Sequence, residues 1–333
     1  MTLETVRWGI IGCGNVTEVK SGPALQKAPH SSLVAVMRRD GDKARDYAQR
    51  HDVPRWYAAA EKLVADPGVD AVYVATPPST HRQFALLSIA AGKPVYVEKP
   101  FALDAAECEE IIAAGRAANV PVFVAYYRRA LPRFRKVREL VFDERAIGKP
   151  RIVNVVLHEP HHPRYHDAAD LPWHVRPEIS GGGIFVDIGC HTLDLLDWLF
   201  GPLRRVHGTA SNQLGAYPPE DTVAMSFAFD TGLLGTGLWN FGALQHEDRI
   251  EVIGDGGRMR FATFGDGPIL VENGAGAREV RVENPVHIQQ PLIEAVVREL
   301  RGEAGACPST AVSAARTSAV MDAVLRDYRQ AKR

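Results

Sequence analysis

The sequence predicts an α/β fold, with a doubly wound parallel sheet at the N-terminus followed by a C-terminal α/β domain built on a mainly antiparallel sheet. Three observations predict it. Short apolar runs alternate with helical segments over the first 125 residues, a glycine turn follows the first run, and beyond Tyr127 the apolar runs take on period-two alternation. The 333 residues, 46% of them hydrophobic, suffice for two ordinary cores, with the boundary placed between 1–125 and 126–333.

The apolar runs of the first half lie at 6–11, 33–37, 71–75, 95–97 and 122–125, and their lack of polar alternation fits strands covered on both faces. Helical spacing between them is carried by Phe84, Leu87 and Ala91 and by Ile111, Ile112 and Ala118, with Gly92 and Asn119 as C-terminal stops. In the second half, an amphipathic segment at 133–144 precedes an irregular His- and Pro-rich stretch at 158–177 and a long helix at 184–200. Strands follow at 221–230, 232–241, 248–256 and 257–264, separated by turns such as Asp230-Thr231-Gly232. Helices at 289–301 and 311–329 close the chain.

Composition excludes several function classes. With 39 Lys plus Arg against 40 Asp plus Glu, the net charge of -1 offers no field for a nucleic-acid backbone. Cys13, Cys108, Cys190 and Cys307 are too sparse for a disulfide framework or a structural zinc site, which fits a reducing compartment. No segment approaches ~18 consecutive apolar residues, and the opening MTLETVRWGIIGCG lacks a signal-peptide pattern, so a cytoplasmic protein without a membrane partner is expected.

Gly12, Gly14, Asn15 and Val16 follow the first strand and open a helix, the setting in which a dinucleotide pyrophosphate finds a tight turn and a helix N-terminus. On this motif alone, glycines that only turn the chain are the alternative. After the second strand, where a carboxylate would accept ribose hydroxyls, stand Arg38 and Arg39. Guanidinium groups suit a 2′-phosphate, so NADP is the expected cofactor, with NAD kept open by the neighbouring Asp40.

Lys99, one of nine lysines, directly follows the strand at 95–97, at the sheet edge where doubly wound folds bind ligands. Burial there would lower its pKa toward proton transfer. In Gly181-Gly182-Gly183-Ile184-Phe185-Val186-Asp187-Ile188-Gly189-Cys190-His191, Asp187 and His191 are four apart on a helix, so a carboxylate can orient an imidazole for proton transfer. A helix-start charge beside a structural histidine is the alternative.

Together RWGIIGCGNV, DAVYVATPPSTH, AGKPVYVEKP and GGGIFVDIGCH resemble, over essentially the whole chain, the Gfo/Idh/MocA oxidoreductases, which include glucose-fructose oxidoreductase and inositol dehydrogenase. The resemblance implies an N-terminal Rossmann domain and a C-terminal substrate domain whose open sheet often forms subunit interfaces, hence a homodimer or homotetramer. It also implies that Lys99 is the active-site lysine, that Asp187 and His191 are its partners, and that Thr76, Pro77, His81 and Glu98 line the dinucleotide. Thr17 and His174 depart from the family pattern, the first at the glycine turn and the second where relatives often carry Arg.

Tyr127 and Arg128, beside Tyr126 and Arg129, are candidate substrate contacts, as is Trp173; bracing the two domains is the alternative for the Tyr–Arg run. His158, Glu159, His161, His162 and His166 lack regular ligand spacing, and no metal is expected. The expected activity is NADP-dependent hydride transfer between a secondary alcohol and a carbonyl of a sugar, cyclitol or related polyol. Lys99 and His191 would manage the hydroxyl proton. A non-catalytic NADP-sensing regulator and an NAD-dependent glycosidase are the rivals.

Overall fold

The computed structural model describes residues 3–165, 167 and 170–332; His166 of the histidine-rich stretch lies outside them. The chain divides into two compact units, Met1–Leu131 with Pro285–Ala315, and Pro132–Asn284 with Arg316–Arg333.

In the first unit the chain runs β1 (Val6–Ile11), α1 (Gly22–Lys27), β2 (Ser31–Met37), α2 (Gly41–Arg50), β3 (Arg55–Tyr57), α3 (Ala60–Val64), β4 (Ala71–Val74), α4 (His81–Ala90), β5 (Val95–Val97), α5 (Ala105–Ala118) and β6 (Val122–Val124). The strands form one parallel sheet in the order β3-β2-β1-β4-β5-β6. This is the doubly wound order that reverses beside β1, the crevice where such sheets bind nucleotides. Every residue of β4, β5 and β6 is buried, as the unbroken apolar runs require. Helix ends follow their local chemistry: the Asp104 carboxylate caps α5 through the Glu107 amide at 2.9 Å, and Asn119 closes it at φ 53°. Strand β3, short and half-exposed, had no apolar run to announce it. The later segment returns to this sheet. The Ser309 hydroxyl donates to the Val124 carbonyl at 2.7 Å, and Thr310 bridges Phe123.

In the second unit, α6 (Pro132–Arg138), β7 (Pro150–Pro160), α7 (Pro177–Ser180) and α8 (Cys190–Phe200) precede β8 (Leu203–Ser211), β9 (Thr222–Phe229), β10 (Leu234–Ala243), β11 (Glu247–Gly254), β12 (Gly257–Phe261), β13 (Ile269–Asn273) and β14 (Gly276–Val280). The eight strands are ordered β14-β13-β12-β11-β7-β10-β9-β8, antiparallel except where β10 runs parallel to β7. One face is apolar: Val155, Phe227, Trp239 and Val252 are buried on it, and α8 packs there through contacts such as Phe200 on Phe229 at 5.5 Å. The other face exposes Ile152, Leu234 and Leu238. The remaining helices are α9 (Gln290–Leu300) in the first unit and α10 (Ala311–Ala331), whose residues from Arg316 onward belong to the second. Among the described residues no helix is long and apolar enough to cross a membrane.

Candidate active site

The carboxyl ends of β1, β4 and β5 carry three loops that touch one another. Gly12 has φ +94°, and a Cβ there would lie 2.6 Å from Thr76 Cγ2 and 3.0 Å from the Thr76 amide nitrogen, so only glycine lets the two loops meet. Thr17, in place of a third glycine, is fully buried. Its hydroxyl accepts from the Gly14 amide at 3.0 Å and donates to the Gly14 carbonyl at 2.8 Å. The helical segment opens at Asn15 and Val16 and passes through a π-turn at Thr17–Ser21, where the Tyr47 hydroxyl donates to the Thr17 carbonyl at 2.8 Å. The amides of Asn15 and Val16 stand at its first positions, where no preceding turn supplies acceptors. Arg38 and Arg39 are exposed just past β2, and Arg38 Nη1 lies 3.4 Å from the Cys13 carbonyl oxygen. Asp40 caps α2 instead, accepting from the Lys43 amide at 3.2 Å and pairing with its ammonium at 3.3 Å.

Thr76 and exposed Pro77 end β4, and His81 opens α4 completely buried. Its ring nitrogens lie 2.7 Å from the Thr76 carbonyl oxygen and 2.9 Å from that of Pro100. Burial pushes the imidazole pKa down while the facing carbonyls oppose that shift. Lys99 follows β5, half-buried, with a cis peptide to Pro100. Beside it, Glu98 is buried rather than open to solvent. It accepts from the Tyr73 hydroxyl at 2.5 Å, from Gln289 Nε2 at 2.8 Å and from the Lys99 amide at 3.1 Å. Burial, and next the Glu98 charge, drive the Tyr73 phenol well above its ordinary pKa. Tyr127 and Arg128 lie in a buried 3-10 turn with the Arg128 guanidinium 4.9 Å from the Tyr127 ring centre, and Arg129 donates to the Pro308 carbonyl at 3.2 Å.

In the second unit the expected helix over 184–200 is present but irregular: Asp187 sits in a π-turn, Phe185–Gly189, that runs into α8, where His191 is buried. Such single-turn widenings recur at functional sites. Asp187 is half-buried, and its carbonyl accepts from Cys190 Sγ at 3.2 Å. The His191 ring stands edge-on to Phe264 at 5.9 Å, and the Thr192 and Thr263 hydroxyls are 3.2 Å apart. The loop carrying Phe264 is held by Asp248, which accepts from the amides of Thr263, Phe264 and Gly265 at 2.9, 2.6 and 3.1 Å. Half-buried Trp173 stacks on His174 at 4.0 Å. In the histidine-rich stretch, His158 and Glu159 face Glu247 and His246 at 4.0 and 3.1 Å.

Within the first unit the structure therefore gathers Gly12, Thr76, His81 and Lys99 on one sheet edge; within the second it sets Asp187 and His191 on one helical segment. Three supporting residues escaped sequence reasoning. Gln289 holds Glu98 across 191 residues, Asp248 shapes the loop beside His191, and Glu220 meets the Gly181–Gly183 turn. Such distant pairings leave no periodic trace in the chain.

A dinucleotide fits the first unit: the Gly12–Val16 turn is a cradle that a Cβ at Gly12 would jam against Thr76, and it opens a helix beside the sheet's reversal point. The fold is that of a dinucleotide-binding protein, and comparison with known families gives the class, an NAD(P)-dependent oxidoreductase. Family models agree: residues 6–126 match the oxidoreductase family with an NAD-binding Rossmann fold, and residues 134–260 match the GFO/IDH/MocA C-terminal domain. The chain belongs to the GFO/IDH/MocA oxidoreductase family. It is 40% identical over 294 residues to Oxidoreductase P35 of Formosa agariphila, covering 88% of this chain and 90% of that one. It is 30% identical over 233 residues to 1,5-anhydro-D-fructose reductase of Ensifer adhaerens, covering 68% and 67%. Its fold matches KijD10, a 3-ketoreductase from Actinomadura kijaniata solved with NADP and TDP-benzene, at TM-score 0.82 and 20% identity over 97% of both chains.

Proposed function

We propose that the protein is an NADP-dependent reductase and dehydrogenase of a sugar, cyclitol or related polyol, exchanging a secondary alcohol with its carbonyl. One observation carries the reading: Lys99 is joined to the nucleotide turn through consecutive contacts. Pro100 meets His81, His81 meets Thr76, and Thr76 packs on Gly12. The bound nicotinamide supplies or accepts the hydride. Lys99 and His191 hold and move the hydroxyl proton, and Asp187 orients His191 and stabilises its protonated form.

Arg38 and Arg39 support NADP, because the neighbouring carboxylate Asp40 is engaged as the α2 cap. The reductase of Ensifer adhaerens supports a sugar-like carbonyl substrate. Tyr127, Arg128 and Trp173 are proposed substrate contacts. The outward face of the second sheet, with Ile152, Leu234 and Leu238 exposed, supports self-association as a homodimer or homotetramer.

The test follows NADPH absorbance with 1,5-anhydro-D-fructose and a panel of aldoses, ketoses and cyclitols. With any substrate so found, Lys99→Ala and His191→Ala should each lower kcat by on the order of 10² to 10⁴ while NADPH affinity stays unchanged. Wild-type turnover in a folded Lys99→Ala protein overturns the proposal.

A further inference from the structure

Gly181–Gly183 and Glu220 meet in the interior of the second unit. The Gly183 amide donates to Glu220 Oε1 at 2.8 Å, and Glu220 is only 2% exposed. Glycine is required for this approach: a Cβ on Gly183 would lie 2.4 Å from the Glu220 carbonyl oxygen and 3.1 Å from Oε1. Gly183 then passes the constraint along the chain. Its carbonyl accepts from the Val186 amide at 3.1 Å and from the Asp187 amide at 3.3 Å, the first bonds of the segment that leads to His191.

Both sides of this contact are themselves tied down. On the glycine side, Arg329 Nη2 donates to the Gly181 carbonyl at 2.7 Å and the Ser180 hydroxyl to the Gly182 carbonyl at 2.6 Å. On the other, the loop bearing Glu220 is closed by Asn212 Nδ2, which donates to the Tyr217 and Pro219 carbonyls at 2.5 and 2.8 Å. Buried Asp221 accepts from the Gln213 and Leu214 amides at 2.9 and 2.7 Å. A carboxyl in this place works against stability, since burial pushes it up to about 7 while Arg329 and the Gly183 amide only partly oppose the shift. Glutamine would accept the same bond without a buried charge, so what the contact with Gly183 requires is the acceptor oxygen.

We propose that Glu220 is a positioning residue for Asp187 and His191: through Gly183 it sets where their helical segment begins and so where both side chains stand. The proposal rests on the reading of those two as active-site groups.

Nitrogen-15 labelling of the histidine rings, with His191→Ala to assign the signal, makes His191 its own reporter in the full chain. Glu220→Ala should displace the His191 ring signals and move their titration midpoint by about half a pH unit or more. Turnover of 1,5-anhydro-D-fructose with NADPH should fall on the order of tenfold or more, with NADPH affinity unchanged. Glu220→Gln, which keeps the acceptor oxygen, should restore the His191 signals and most of the turnover. If Glu220→Ala does not fold, Gly183→Ala, which drives a methyl against the Glu220 carbonyl, is read by the same signals. Unchanged His191 signals in whichever of these two variants folds overturn the proposal. Loss of the catalytic reading is seen separately, as wild-type turnover in His191→Ala, and leaves the ring signals to judge Glu220.

Discussion

Two glycine-rich turns, 12–14 and 181–183, use the same residue for opposite ends. Around Gly14 there is open space, the nearest atom to a Cβ being the Gly12 carbonyl oxygen at 3.9 Å, whereas at Gly183 the space is filled by Glu220. In the first turn Thr76 fills the space beside Gly12 and only Gly14 keeps open room; the second turn gives its room at Gly183 to the protein's own carboxyl. A glycine motif is therefore read by what occupies the vacated volume, and that volume belongs to the tertiary structure.

The largest expected effect separates the two glycines inside the first turn. Gly12→Ala meets both a φ of +94° and the Thr76 contact at 2.6 Å, and should cost roughly 3–5 kcal/mol in urea unfolding. Gly14→Ala, in open space, should change stability by less than about 1 kcal/mol yet weaken NADPH binding in a fluorescence titration. Undiminished NADPH affinity in Gly14→Ala would remove the ligand from the first half of the comparison.

The next effect sharpens the second half. Burial pushes the Glu220 carboxyl up to about 7 in the folded chain, above its ordinary 4.5, so between these pH values the folded state binds the extra proton. Its contribution is fully present below about pH 4.5 and is lost as pH rises through 7. Relative to Glu220→Gln, the wild type should lose roughly 2–3 kcal/mol between pH 5 and 8, read as diverging Tm values. Parallel Tm curves would show that the carboxyl is not held in a desolvated site.

The smallest effect concerns cofactor choice beside the first turn. Replacing Arg38 and Arg39 by Ala should cost roughly 1–2 kcal/mol of NADPH affinity, about tenfold, and leave NADH binding unchanged. Equal loss for both cofactors would assign the two arginines to the pyrophosphate rather than to the 2′-phosphate.

The elements legible from sequence were those with local causes. The apolar run 95–97 is a buried strand, Asn119 ends its helix in the left-handed region, and the period-two run at 221–230 is β9. The candidate site was legible where a residue type is tied to an element's end, as Lys99 is to β5. Thr17 shows the boundary of that reasoning. It departs from a three-glycine pattern, yet its buried hydroxyl satisfies both main-chain groups of Gly14, and Tyr47 completes the turn from thirty residues away.

By itself the sequence determined the fold class, the family and the strands at 6–11, 71–75, 95–97 and 221–230, because strand and helix periods, caps and turn residues are encoded within a few neighbouring positions; β3, β7, β8, β13 and β14 carried no run that announced them. Only the tertiary structure decided that Glu98 is buried against Gln289, that His81 links Thr76 to Pro100, and that Glu220 occupies the space beside Gly183. Those partners stand 191, 19, 5 and 37 positions apart, and the contacts form because burial leaves each polar group the choice of a partner or a desolvation penalty.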